Sequence, residues 1–287
     1  MRKFLRDVLF TVLFIALADY LFGAIIKNNY SEKHIYITHH SNEIKTLVMG
    51  NSLAETGLNT SVLGDSAWCF AISGRALYYD DKLLERHMAT MSNLHTVILT
   101  LHYNLHTDVM LDSILQISSK YYIYHNYRFL HIPTKTIPEG WLYRSAFLSD
   151  QLNKKNNTGA TFDKFGNTLT EGYYDGKEQD HNPPHQSNVD NCIKYLTNMA
   201  KTCAEHDVRF VVVTPPFPDT WIEGCTEQGI KNLAKVTDSV NMLYPLEYKN
   251  YLWDSAFRND SLYYNWNHLN EIGATMFAHR IKADFGL

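Results

Sequence analysis

The chain has 287 residues, of which 45% are hydrophobic and 20% are charged, proportions typical of a globular protein with one large domain or two small ones. This composition excludes a disordered chain, and a formal net charge of −4 gives no electrostatic reason to expect nucleic acid as the partner. The four cysteines are too scattered for a disulfide scaffold, and no two form the Cys-x-x-Cys pair of a structural zinc site.

Residues 1–27 are predicted to anchor the protein in the cytoplasmic membrane. Arg2, Lys3 and Arg6 precede an apolar stretch over residues 8–26, which is long enough as a helix to cross most of the hydrocarbon layer. Basic residues on this side predict a single pass with the N-terminus inside and the remainder outside, in the periplasm or on the extracellular face. Two alternatives stay open: a signal peptide cleaved near residues 16–18, and a buried helix of a soluble domain.

Residues 40–287 are predicted to form one α/β domain. Four short apolar runs have the length and composition of buried strands, at residues 44–49, 67–72, 96–101 and 208–214. Helices are predicted after the second strand, around residues 229–240 and over residues 270–285. Short strands that alternate with helices predict three layers, a parallel sheet flanked by helices on both faces.

A long insertion over residues 105–184 interrupts this alternation. It combines an aromatic cluster with polar sequence rich in Gly and Asn. Insertions of this length commonly form a lid or a substrate wall. Surface decoration without a role is the alternative interpretation.

Two residues at opposite ends of this domain carry the catalytic prediction. Ser52 follows Gly50 and Asn51 after the first predicted strand, so its hydroxyl is expected at the carboxyl edge of the sheet, where open α/β folds bind ligands. Serine in this position is also a common helix N-cap. His268 precedes the last predicted helix, where it can reach over a serine at that edge. A serine hydroxyl needs such a base, because it is a poor nucleophile until its proton is removed.

In their order and spacing, Ser52 and His268 resemble the SGNH/GDSL hydrolase superfamily, which has a flavodoxin-like α/β fold. The resemblance is strongest to membrane-anchored, exported members, such as the teichoic-acid D-alanylation proteins and the alginate-type O-acetyltransferases. It implies that Ser52 is the nucleophile and His268 the base. It also implies an oxyanion hole formed by the backbone N–H groups of Ser52 and Gly74 and by the side-chain amide of Asn104.

The sequence departs from the family pattern at two positions. His102 stands where the third family block has glycine, which bears on the placement of Asn104. Asn265 stands three residues before His268, where the family has an aspartate that orients the imidazole. An amide oxygen can also accept a hydrogen bond from the imidazole, as in Cys-His-Asn enzymes. Asn265 is therefore either the neutral orienting residue of a working site or the mark of a weakened one.

The resemblance implies an exported, membrane-anchored acyl esterase or O-acyltransferase that acts on ester groups of a cell-envelope glycan or polymer. The expected partners are the acylated polymer, the membrane and a membrane-embedded acyl-transfer protein; no cofactor and no metal are expected. The alternative is a catalytically silent domain that binds polysaccharide or scaffolds its assembly.

Overall fold

The computed structural model describes residues 1–25, 29–105, 162–176 and 189–287. The described residues belong to two compact units, one up to His34 and the other from Ile35 to Leu287. Most of the predicted insertion lies outside the described residues, and only residues 162–176 of its interior are described.

The first unit contains helix α1 (Arg2–Ile25) and the beginning of helix α2 (Asn29–His40). Large apolar side chains of α1 are exposed, with Phe4, Phe10 and Phe14 each about 70% accessible. Over the part of the chain that the structure describes, no helix combines the length and the apolar character needed to cross a membrane.

The second unit is built on a parallel sheet of five strands. The strands lie in the order β2-β1-β3-β4-β5, and every neighbouring pair is parallel. This arrangement confirms the predicted parallel α/β sheet and has the strand order of flavodoxin-like folds. The strand bounds are β1 (Thr46–Met49), β2 (Ala67–Cys69), β3 (Thr96–Thr100), β4 (Arg209–Thr214) and β5 (Glu247–Asn250).

Helices follow the strands along the chain and cover both faces of the sheet. Their bounds are α3 (Ser52–Glu55), α4 (Leu77–Met88), α5 (Val189–Glu205), α6 (Asp219–Ile222), α7 (Glu227–Asn241) and α8 (Glu271–Phe285). Helices α4, α5 and α7 pack side by side, and α5 contacts β4.

Alternate residues of the central strands point to opposite faces of the sheet. Val48 and Ile98 are register partners on β1 and β3, and they share one buried cluster with Phe277 of α8. Their neighbours Leu47 and Val97 are fully buried as well, which shows that the opposite face is covered. The predicted three-layer arrangement is therefore confirmed.

Candidate active site

The turn after β1 places Ser52 at the carboxyl edge of the sheet. Gly50 has a φ of +128°, a conformation that side chains rarely adopt, and a Cβ atom there would overlap the Thr100 side-chain oxygen. Asn51 caps helix α3, because its side-chain oxygen accepts a hydrogen bond from the Leu53 N–H at 3.0 Å. Ser52 is therefore the first residue of α3 and not the cap, which leaves its hydroxyl available to another partner.

That partner is His268. The imidazole Nε2 lies 2.8 Å from Ser52 Oγ, and both residues are half-buried. On the other side of the ring, Nδ1 lies 3.1 Å from Asn265 Oδ1. The structure therefore brings Ser52, His268 and Asn265 together in one line of hydrogen bonds, in the arrangement expected for a nucleophile, a base and an orienting residue.

The backbone determines which end of the Asn265 amide faces the imidazole. The N–H groups of Asn267 and His268 donate to Asn265 Oδ1 at 3.1 and 2.9 Å, so this atom is the amide oxygen. An oxygen accepts only, and Nδ1 must therefore carry the ring proton. In that tautomer the Nε2 lone pair faces the Ser52 hydroxyl, which is the form a general base requires.

Burial determines the electrostatics of His268. Burial lowers the pKa of His268 to about 4, because the charged imidazolium loses hydration. The ring stacks on Tyr264 with the centroids 5.4 Å apart and the planes at 23°, and burial raises the pKa of Tyr264. The imidazole is thus neutral over the physiological pH range.

The histidine loop is held by the cap of the helix that follows it. The side-chain oxygen of Asn270 accepts from the Gly273 N–H at 3.0 Å, and its amide donates to the carbonyl oxygens of Ser261 and Gly172 at 2.7 and 2.9 Å. Asn270 is 2% exposed. This one buried side chain, two residues after His268, thus fixes the start of α8.

Gly74 lies in a tight turn beside Ser52. The Arg75 N–H donates to the Ile72 carbonyl at 3.1 Å, and the Ile72 N–H donates to the Gly50 carbonyl at 3.2 Å. Gly74 is exposed, with a φ of +75°. The turn that carries the predicted oxyanion donor is therefore bonded directly to the turn that carries the nucleophile.

Asn104 follows β3 at the same edge of the sheet and is half-buried. His102, one of the two departures from the family pattern, shapes this loop: its Nδ1 accepts from the Asn104 N–H at 2.9 Å, and its carbonyl accepts from the Leu105 N–H at 2.9 Å. The His102 ring packs against Phe217 and Trp221, at centroid distances of 5.4 and 5.6 Å. The substituted histidine therefore has a structural role in its own loop.

Two buried carboxylates near the site were not predicted from the sequence. Asp80 of α4 forms an ion pair with Arg75 at 2.6 Å and accepts from the Gly50 N–H at 3.2 Å. Glu55, the last residue of α3, accepts two hydrogen bonds from Ser73. The signal available for Glu55 was its place one helical turn after Ser52.

Within residues 1–25, 29–105, 162–176 and 189–287, no group of three or more His, Cys, Asp or Glu side chains is placed to hold a metal ion.

Comparisons with known proteins give a distant likeness only. No protein-family model matches the sequence, and no curated protein matches it either. Among solved structures, the chain is similar to a protein from Streptococcus pneumonia proposed to be a platelet activating factor, with 11% identity, a TM-score of 0.46, and coverage of 89% of this chain and 92% of that one.

A GDSL-like lipase from Bacteroides thetaiotaomicron matches with 10% identity and a TM-score of 0.45, over 90% of this chain and 98% of that one. A protein from Bacteroides fragilis proposed to be an acylhydrolase matches with 10% identity and a TM-score of 0.43, over 88% and 94%. A likeness this distant carries no information about what the chain binds or does.

Proposed function

We propose that this protein is an SGNH-like acyl esterase or O-acyltransferase that works through an acyl-enzyme on Ser52. The observation that carries the proposal is the line of hydrogen bonds from Ser52 Oγ through His268 to Asn265 Oδ1. A serine hydroxyl bonded to an oriented, neutral imidazole at the carboxyl edge of a parallel sheet is suited to acyl transfer.

In the proposed reaction, Ser52 Oγ attacks the carbonyl carbon of an ester while its proton passes to His268 Nε2. The tetrahedral oxyanion is stabilised by N–H donors of the site, for which the backbone groups of Ser52 and Gly74 and the side chain of Asn104 are the candidates. When the intermediate collapses, His268 returns the proton to the leaving alcohol. Water or a sugar hydroxyl then attacks the acyl-enzyme while His268 takes its proton. The bond between the acyl carbon and Ser52 Oγ breaks, and His268 returns the proton to Ser52.

Asn265 orients the His268 imidazole but carries no charge. Its oxygen holds the Nδ1–H tautomer, so the amide avoids the wrong-tautomer defect seen when an Asp-to-Asn change is made in a serine protease. It does not stabilise the imidazolium as a carboxylate would. We therefore expect a working but slow site that retains its base form at acidic pH.

The proposed substrate is an acylated glycan or another polymer of the cell envelope, and the proposed location is the outer side of the cytoplasmic membrane. This part of the proposal is supported by basic residues ahead of the apolar stretch at 8–26 and by the exposed apolar side chains of α1. A membrane-embedded protein that delivers the acyl group is the corresponding partner.

A second candidate function is a silent domain that binds or scaffolds polysaccharide. The observation in its favour is the absence of a carboxylate on His268 Nδ1, together with the lowered pKa of His268, about 4. Such an imidazole is a weak base.

Hydrolysis of p-nitrophenyl acetate by the full chain in mild detergent separates the two candidates. Ser52→Ala should abolish turnover and leave thermal unfolding nearly unchanged. Ser255→Ala, the same change at an exposed serine away from the site, is the matched control and should keep full activity. Turnover that survives Ser52→Ala would remove Ser52 from the mechanism, and a wild type without turnover would favour the silent domain.

A further inference from the structure

Glu55 is a buried carboxylate that the reaction outlined above does not use. It ends helix α3, which begins with Ser52, and it is 3% exposed. Its Oε2 atom accepts from the Ser73 N–H at 2.6 Å and from the Ser73 hydroxyl at 2.7 Å. Hydrogen bonds to a charged acceptor are roughly twice as strong as those between neutral groups, so these two form a firm attachment.

The residue that Glu55 holds is the neighbour of Gly74. Ser73 and Gly74 are both exposed at the tip of their turn, where side-chain packing contributes little to their position. The turn itself is closed by the hydrogen bond from the Arg75 N–H to the Ile72 carbonyl. Glu55 therefore attaches an exposed turn to the helix that presents the nucleophile.

Thr168, from a third segment of the chain, also bonds to Glu55. The Thr168 N–H donates to the Glu55 carbonyl at 3.0 Å, and the Thr168 hydroxyl lies 3.4 Å from Glu55 Oε1. Both oxygens of the carboxylate thus have partners, which is what a buried carboxylate needs if it is to offset its lost hydration. With its own backbone and side chain both bonded, Glu55 has little freedom to move relative to Ser52.

We propose that Glu55 is a positioning residue, which holds the Ser73–Gly74 turn so that the Gly74 N–H meets the acyl oxygen when Ser52 attacks. This inference rests on the proposed function. Its physical basis is that Ser52 and Glu55 lie on one helical turn, so the carboxylate sets the spacing between the nucleophile and the turn. Oxyanion donors are effective only when they are in place before charge develops.

The expected effect follows from the cost of misplacement. Removal of the carboxylate in Glu55→Ala releases both Ser73 hydrogen bonds, and a displacement of about 1 Å can cost roughly 100-fold in rate. We expect kcat for p-nitrophenyl acetate to fall by about this factor with KM within roughly threefold, since the donor acts on the transition state. Glu55→Gln keeps an acceptor oxygen of the same reach and should recover most of kcat.

The test combines turnover with amide hydrogen exchange of the peptide that contains Ser73, using the full chain in detergent. Exchange at Ser73 should be fast in Glu55→Ala and slow in wild type. Glu85→Ala, the same change at an exposed carboxylate on α4, is the matched control and should leave exchange and turnover unchanged. If Glu55→Ala does not fold, Ser73→Ala replaces it: loss of one of the two donors should lower kcat by about fivefold and accelerate exchange at position 73.

Two results would overturn the proposal in distinguishable ways. Fast exchange at Ser73 with an unchanged kcat would show that the turn is held by Glu55 but that its position does not matter, while the proposed function stands. A wild type without Ser52-dependent turnover would overturn the proposed function and this inference together.

Discussion

Replacement of Asn265 by Asp tests whether the missing charge limits this site. The new carboxylate would take the place of an amide oxygen that lies 3.1 Å from His268 Nδ1 and that already accepts two backbone hydrogen bonds. The local geometry should therefore be kept, and the main change is one negative charge. Its centre would lie roughly 4 Å from that of the imidazolium, where the attraction is about 4 kcal/mol at an effective dielectric constant of about 20.

At about 1.4 kcal/mol per pKa unit, this attraction should raise the pKa of His268 by about 3 units, from about 4 to near neutrality. An imidazole of that pKa is the stronger base, so we expect kcat/KM at pH 8 to rise by about tenfold or more. The acid limb of the pH–rate profile should move upward by the same 3 units. The assay is p-nitrophenyl acetate hydrolysis from pH 3 to 9, with NMR titration of the His268 ring as an independent measure.

A pKa that moves by less than one unit would refute the electrostatic reasoning. A large loss of activity with the expected pKa would show that Asn265 is already the best orienting residue for this site. Asn267→Asp, the same change two residues away, is the matched control, and a smaller shift is expected there because the Asn265 oxygen, not Asn267, contacts Nδ1.

Three further predictions concern stability. The pKa of His268 is about 4 in the folded state and 6.5 in an unperturbed histidine, so the unfolded chain binds more protons between these pH values. The contribution of His268 to the free energy of unfolding should therefore be complete above pH 6.5 and lost as the pH falls through 4. Urea unfolding at several pH values measures this change. Asp80→Asn leaves the buried Arg75 charge without its partner and should lower the free energy of unfolding by about 3–5 kcal/mol; an unchanged urea midpoint would contradict this. Thr100→Val should raise that free energy by about 1 kcal/mol, seen as a higher Tm, because the Thr100 hydroxyl is buried and has no hydrogen-bond partner among the described residues.

The sequence was most informative where strands are buried on both faces. Four predicted strands match β1 to β4 within a few residues, because continuous apolar runs are typical of the centre of a parallel sheet. The predicted run at 67–72 extends past Cys69, where β2 ends. Phe70 and Ile72 still donate hydrogen bonds to the carbonyls of Val48 and Gly50, on β1 and the turn after it.

Strand β5 was missed because it does not have that signature. Its sequence, Glu-Tyr-Lys-Asn, is polar and partly exposed, as suits an edge strand that pairs with β4 alone. Helix α5 was also not predicted, although its apolar face is buried.

At the site, the sequence identified residues whose chemistry is specific and missed those whose role depends on distant contacts. Ser52, His268 and Asn265 were found because motif order and a spacing of three residues indicated them, and the structure brings them together. Glu55 was missed because its partners are far along the chain, at Ser73 and Thr168. Its place one helical turn after Ser52 puts Glu55 near the nucleophile, but it does not tell whether the carboxylate meets a buried partner or solvent.

The most direct test of the central claim is whether Ser52 is an activated nucleophile. The full chain in mild detergent is treated with a fluorophosphonate probe, and the labelled residue is located by peptide mass spectrometry. The account predicts labelling at Ser52 that is lost in His268→Ala, since the imidazole 2.8 Å from Ser52 Oγ is the base. A folded wild type that is not labelled at Ser52, or labelling that persists in His268→Ala, would contradict it.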